Sequence, residues 1–331
     1  MTDVKPESAG PLAAHIKNYL AHKRGLGNHF VSGEKTLRLL ERYFLDHRLD
    51  DVSSISPPIL DAFLASRPRR TSRSYNQLLG HVDCFFKWLV LHEVLASSPV
   101  RAVRRRKGAL RRPFLFDRDQ GRRLIDATAG LLDTSRDKGR SRIYRMLFVL
   151  IYGLGLRVGE TCLLRVQDVD LDRQVLFIHK AKLGKERWVP FGPKIANELR
   201  RFIQWRAAGS TLQSESPLFT FDRNGCRPLR PGSVSRTFHD DLVPQLALTV
   251  PADTRPPHLH CLRHSFAVST LLHLYQSGAD ANSHLLHLAT FLGHVSPSST
   301  AVYLTITDEL LNAANQRFAR FAAPILKEIK V

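Results

Sequence analysis

Acidic residues are the first shortage in this chain: 30 Asp and Glu stand against 49 Lys and Arg in 331 residues, a net charge of +19. The excess is not confined to a tail. Residues up to Arg112 carry +10 and the remainder +9, so both parts are expected to face a polyanion. Cysteine is sparse as well. Cys84, Cys162, Cys226 and Cys261 are far apart and form no CxxC pair, which excludes a disulfide framework and a zinc ribbon and leaves a reducing cytoplasm as the default. Long apolar runs are missing: stretches such as Met146 to Ile151 fall far short of the roughly 18 residues that a membrane span needs. The opening MTDVKPESAG lacks a basic region followed by an apolar stretch, so neither secretion nor membrane insertion is expected. Charge alone leaves nucleic acid, an anionic membrane and an acidic protein open as partners. The lack of a lipidation signal and of a Lys/Arg-rich amphipathic tail favours nucleic acid.

What is present is a folded chain of two-domain length, with 43% hydrophobic residues to fill both cores. Apolar residues recur at helical spacing over 11–24, 33–47, 57–66 and 71–94, the third run opened by Ser56 before Pro57 and Pro58. The segment SSPVRAVRRRKGALRRP follows. In it Arg101, Arg104, Arg105, Arg106, Lys107, Arg111 and Arg112 lie between Pro99 and Pro113 with no acid among them. Such a run repels itself unless something neutralises it, so it reads as an interdomain linker that tracks DNA phosphates. Beyond it, Asp117 and Gln120 predict a capping box for a helix to about residue 132, and 140–154 a buried helix. QVLFIH (174–179) and ERWVP (186–190) predict two antiparallel strands around the turn AKLGK. Further helices are expected over 193–208, 232–246, 260–277, 283–292, 297–303 and 308–319. The chain is thus mainly α with one small antiparallel β-sheet.

Four words in the second domain carry chemistry: YGLGLRVGE (152–160), AKLGKERWVP (181–190), HCLRHSFA (260–267), and FLGH (291–294) with Tyr303 nine residues after His294. Two arginines, a lysine and two histidines converging on one site would neutralise a pentacoordinate phosphorane, because Arg presents a planar fork of donors matched to phosphate oxygens. Tyr303 would be the nucleophile. Its phenol could store a phosphodiester's energy as a phosphotyrosine without a metal, provided cations hold the charge and an acid protonates the leaving oxygen. In a chain with 15 His and 7 Tyr any one such pair is a weak signal, and the weight lies in all the words occurring together in one order.

That order and context resemble the tyrosine recombinase (phage integrase) family over nearly the whole chain. The family's GLRxxE word matches Arg157 with Glu160, its hairpin lysine Lys182, its HxxR word His260 and Arg263, its LGH word His294, and its nucleophile Tyr303. The resemblance implies a two-domain C-clamp: a helical core-binding (SAM-like) domain over 1–98, a basic linker over 99–113, and a catalytic domain with a C-terminal tail over 114–331. It implies that Arg157 and Arg263 hold the scissile phosphate, that Lys182 protonates the 5′-oxygen, and that His260 and His294 support proton transfer and phosphate binding. Lys180 competes with Lys182, which is preferred for its place at the hairpin tip. The implied partners are double-stranded DNA and further copies of the chain, four protomers acting on two sites through a Holliday junction, with sister recombinases or DNA-bending accessory proteins left open. No cofactor or metal is implied, and the protein is placed in the cytoplasm, on the nucleoid when bound to DNA. Arg263 and His294 are 31 residues apart, longer by roughly two helical turns than in the commonest members. This points to a branch encoded by transposons or insertion elements. The tail 304–331, with Leu310, Leu311, Phe318 and Phe321 at helical spacing, either docks on a neighbouring subunit or packs on its own core.

Other readings are weaker. His258, His260, Cys261 and His264 crowd together, but no second ligand cluster lies at finger-like spacing. Cys261 reads as a small buried hydrophobe. His264 reads as satisfying buried backbone groups, with support of the site as the sharper alternative. A carboxylate in a phosphate pocket would repel substrate, so Glu160 is expected in an ion pair or hydrogen bond rather than as a catalytic acid. Gly153, Gly155 and Gly159 do not have dinucleotide-binding spacing. Two rival functions remain: DNA relaxation of the type IB topoisomerase kind, and a DNA-binding accessory protein of a mobile element.

Overall fold

The computed structural model describes residues 10–312 except 50, 107, 109–110, 180–185, 210–211, 223–225, 278–280, 294–302 and 304–311, and its chain separates into two compact units, Met1–Leu110 and Arg111–Val331. In the first unit four helices, α1 (Ala13–Gly25), α2 (Val31–Asp46), α3 (Pro57–Ala65) and α4 (Ser72–Leu91), surround one apolar core. The spacing that predicted them buries Leu37, Leu40 and Phe44 of α2 against Leu78, Val82, Phe85 and Leu89 of α4. Tyr19 of α1 closes the bundle edge-on to Phe85 and Trp88, with ring centroids 5.3 and 5.5 Å away. Prolines at the first turn start α3 where their missing N–H costs nothing, and the Thr71 hydroxyl caps α4 by accepting from the Ser74 amide at 3.1 Å.

The basic stretch begins on this unit. Val100 and Ala102 pack against its core, the Asn76 side chain exchanges two 2.8 Å hydrogen bonds with the Arg105 backbone, and the Arg105 guanidinium lies 3.9 Å from the Tyr75 ring centre. Arg101, Arg104 and Arg106 are exposed around these anchors.

In the second unit α6 (Arg140–Leu154) is the central helix, burying residues on most of its surface, from Ile143 to Leu154. Before it, α5 (Arg118–Ala127) opens with the expected capping box: Asp117 Oδ1 accepts from the Gln120 amide at 2.8 Å and Gln120 Oε1 accepts from the Asp117 amide at 3.2 Å. After it come the short α7 (Val158–Cys162) and a three-stranded antiparallel sheet of β1 (Val169–Asp170), β2 (Val175–Ile178) and β3 (Arg187–Pro190), in that order. Leu176 pairs with Val169 on one side and Val189 on the other, so Leu176, Ile178 and Val189 face the core while Phe177 and Trp188 pair on the opposite face. Next are α8 (Pro193–Gly209), α9 (Pro231–Arg236), α10 (Leu259–Gln276) and α11 (Ala281–Leu292).

The single helix expected over 232–246 is instead three windings: α9, a π segment over Thr237–Leu242 and a 3-10 segment over Val243–Leu246. Pro244 removes one amide and its ring crowds the carbonyl four residues back, so the α ladder cannot pass through it. The two helices expected over 297–303 and 308–319 lie almost wholly outside the described residues. No described helix is long and apolar enough to cross a membrane.

Candidate active site

Gly155 ends α6 with φ +60°, a left-handed conformation, and a Cβ there would meet Phe266 at 2.5 Å. The turn sets Arg157 at the head of α7. Its Nη1 donates to Glu160 Oε1 at 2.6 Å and its Nη2 to the Gly293 carbonyl at 2.9 Å. Glu160 is buried and has a second partner, Arg187 of β3, whose Nη2 and Nη1 donate to its two oxygens at 2.8 and 3.1 Å. Burial pushes the Glu160 carboxyl up, but hydrogen bonds and charge from Arg187 and Arg157 outweigh this and hold it below the ordinary value. The carboxylate therefore stays ionised between two guanidiniums, the ion-pair role expected from the sequence.

Arg263 of α10 is 1% exposed, donating from Nη1 to the Gly155 carbonyl at 2.7 Å and from Nη2 to the Leu292 carbonyl at 2.6 Å. Arg187 Nε donates to the Phe291 carbonyl at 2.9 Å. Three arginines thus hold three successive carbonyls, 291 to 293, at the C-terminal end of α11, where a helix leaves carbonyls without internal partners. Gly293 has φ +66°, and a Cβ there would approach Arg187 Nη1 to 2.8 Å. Burial, followed by the like charge of Arg157, lowers Arg263 to about 10, so it remains protonated at neutral pH.

Tyr303 is 3% exposed in an apolar pocket of Ala267, Val268, Leu271, Leu288 and Leu292, contributed by α10 and α11. Its hydroxyl lies 3.0 Å from Nδ1 of His264. Burial raises the phenol's pKa, opposed by the charges of Arg263 and Arg157. His264 is pushed down to about 3 by burial and then by His260, His258, Arg263 and Arg255, so its ring is neutral. The exposed His260 stands edge-on to it, ring centres 4.5 Å apart. Of the six expected site residues, four are therefore brought together: Arg157, His260, Arg263 and Tyr303. Lys182, its rival Lys180 and His294 lie outside the described residues.

Two participants were not assigned from sequence. Arg187 sits in a word that read only as a strand, and its partner Glu160 is 27 residues away. His264 touches the tyrosine itself, whereas adjacency to Arg263 suggested only backbone bonding or general support. Cys261 is buried, its thiol pushed up by burial, and its Sγ lies 2.9 Å from His258 Nδ1. Among the described residues no group of three or more His, Cys, Asp or Glu could hold a metal ion.

Residues 115–309, which carry the arginine cluster and the buried tyrosine on a mainly helical unit with one small sheet, match the phage integrase family. The chain belongs to that family, the tyrosine recombinases. It is 32% identical over 311 residues to a protein of Sinorhizobium fredii (strain NBRC 101917 / NGR234) named as an integrase/recombinase, y4rB, covering 92% of this chain and 96% of that one. It is 30% identical over 260 residues to the tyrosine recombinase XerC of Xanthomonas campestris pv. campestris (strain B100), covering 77% and 71%. In fold it is similar to the Tn1549 transposon integrase solved with transposon right end DNA, with a TM-score of 0.65, 16% identity, and coverage of 93% of this chain and 98% of that one.

Proposed function

We propose that this tyrosine recombinase cleaves and rejoins duplex DNA at specific sites, with Tyr303 as the nucleophile. Tyr303 Oη attacks the scissile phosphorus, the P–O5′ bond breaks, and a 3′-phosphotyrosine holds the strand until a 5′-hydroxyl reverses the step. Arg157 and Arg263 hold the non-bridging oxygens and stabilise the charge of the transition state. Lys182 supplies the proton to O5′, while His260 and His294 support proton transfer and phosphate binding. The observation that carries this reading is a buried Tyr303 whose hydroxyl lies 3.0 Å from Nδ1 of His264, the residue that follows Arg263 on α10.

The proposed partners are double-stranded DNA, contacted through Arg101, Arg104, Arg105, Arg106, Lys107, Arg111 and Arg112 among others, and further copies of the chain as a tetramer on paired sites. The exchange runs through a Holliday junction, alone or with sister recombinases or DNA-bending proteins, on behalf of a mobile element. Likeness to the transposon integrase and to y4rB supports the mobile-element role.

The test is a duplex nicked near the candidate site, taken from DNA flanking the gene and incubated without added metal. The expected result is a covalent protein–DNA adduct that maps to Tyr303 and is absent in Tyr303→Phe. Tight binding without an adduct on any flanking DNA would favour an accessory protein, and relaxation of supercoils without strand exchange would favour a topoisomerase.

A further inference from the structure

We infer that His264, outside the six residues assigned to the chemistry, orients the nucleophile: its Nδ1 accepts the Tyr303 hydroxyl hydrogen and fixes the direction in which Oη presents its lone pair. This rests on the reading of Tyr303 as the nucleophile.

The geometry is specific. Nδ1 and Oη are 3.0 Å apart, and the two rings meet edge-on with centres 5.4 Å apart. The charge of Arg263 also acts on the phenol, and a guanidinium can only donate. Of these two neighbours only the imidazole nitrogen can accept the phenol's own hydrogen. Burial, and then His260 and His258 on the same stretch of chain, Arg263 beside it and Arg255 before α10, disfavour a second proton on the ring, so one ring nitrogen keeps a lone pair at neutral pH.

The hydroxyl rotor is thus set by two side chains adjacent in sequence. α10 delivers the cation that binds phosphate and the acceptor that turns the nucleophile toward it. A hydroxyl without the acceptor could turn its hydrogen to either side, and misorientation of a reacting atom by about 1 Å costs on the order of 10²-fold in rate.

The experiment compares His264→Ala and His264→Asn with the wild-type chain and Tyr303→Phe. It reads single-turnover adduct formation on the nicked duplex, duplex affinity and melting temperature. The expected result is that His264→Ala forms adduct about 10²-fold more slowly with affinity and melting preserved. His264→Asn, whose amide oxygen can stand where Nδ1 stood, should recover most of the rate. Wild-type cleavage by His264→Ala overturns the inference. So does a slow His264→Asn that folds and binds normally, since an acceptor at that place would then not suffice. Should His264→Ala not fold, the Asn variant alone decides by the same criterion. An adduct persisting in Tyr303→Phe overturns the nucleophile assignment and this inference with it, whereas its loss in Tyr303→Phe beside a fully active His264→Ala removes only the latter.

Discussion

Glu160 sits between two guanidiniums, and removing one changes what the other can do. Its side chain is 5% exposed and that of Arg187 9%. Arg187→Ala would leave a buried carboxylate with Arg157 as its remaining guanidinium partner and would free the Phe291 carbonyl. Breaking a buried pair from one side costs about 3–5 kcal/mol, and Arg187→Ala is expected to lower the unfolding free energy by that order in denaturant titration. Arg187→Lys should recover little, because an ammonium cannot reproduce a fork that bonds both carboxylate oxygens and a carbonyl. Pairing Arg187→Ala with Glu160→Gln should cost less than the sum of the two single changes, since the buried carboxylate left with Arg157 alone is then gone. Additive losses would show that the two residues act independently. The sequence made the Arg157–Glu160 half of this arrangement readable because the two are three residues apart on one turn. The Arg187 half depends on how the sheet docks beside α11, which no local spacing records.

At the scale of elements, legibility followed length and punctuation. The helices of the first unit and α6 each carry several turns of apolar spacing, and their bounds agree with expectation to within a few residues. The hairpin was readable from alternation. β1 and α7, of two and five residues, are too short to show any period and escaped notice. The stretch ending at Pro244 displayed helical spacing, and the proline's local cost decided the winding instead. Capping was the most transferable signal. Asp117 and Gln120 satisfy each other's amides at the start of α5, as their spacing predicted. Asp117→Ala removes one side of that exchange and is expected to cost about 1 kcal/mol, read as a lower denaturant midpoint with an unchanged slope. The Tyr152 hydroxyl donates to the Asp117 backbone carbonyl, a bond the substitution keeps, so the loss should report the cap alone. An unchanged midpoint would mean that water replaces the carboxylate without penalty.

For the whole molecule, the charge of +19 was readable from composition, but not which cations are free to serve DNA. The seven basic residues of the central stretch looked equivalent in sequence. In the structure Arg105 is committed to Tyr75, with its backbone held by Asn76, while Arg101, Arg104 and Arg106 are exposed without such commitments among the described residues. The two groups should therefore answer differently to substitution. Replacing Arg101, Arg104 and Arg106 together by Ala should leave melting unchanged and flatten the dependence of log K for duplex DNA on log salt. The expected reduction is about 0.9 for each phosphate no longer neutralised, or roughly 2–3 in all if every one of the three arginines touches a phosphate. Arg105→Ala should instead lower the stability of the first unit, and its effect on binding should include a part that salt does not remove. The measurement is duplex affinity at several salt concentrations for the wild type and both variants, with melting followed in parallel. A triple variant that keeps the wild-type slope would take those arginines out of the DNA interface. The steep salt dependence expected of a chain this basic would then have to come from its other cations.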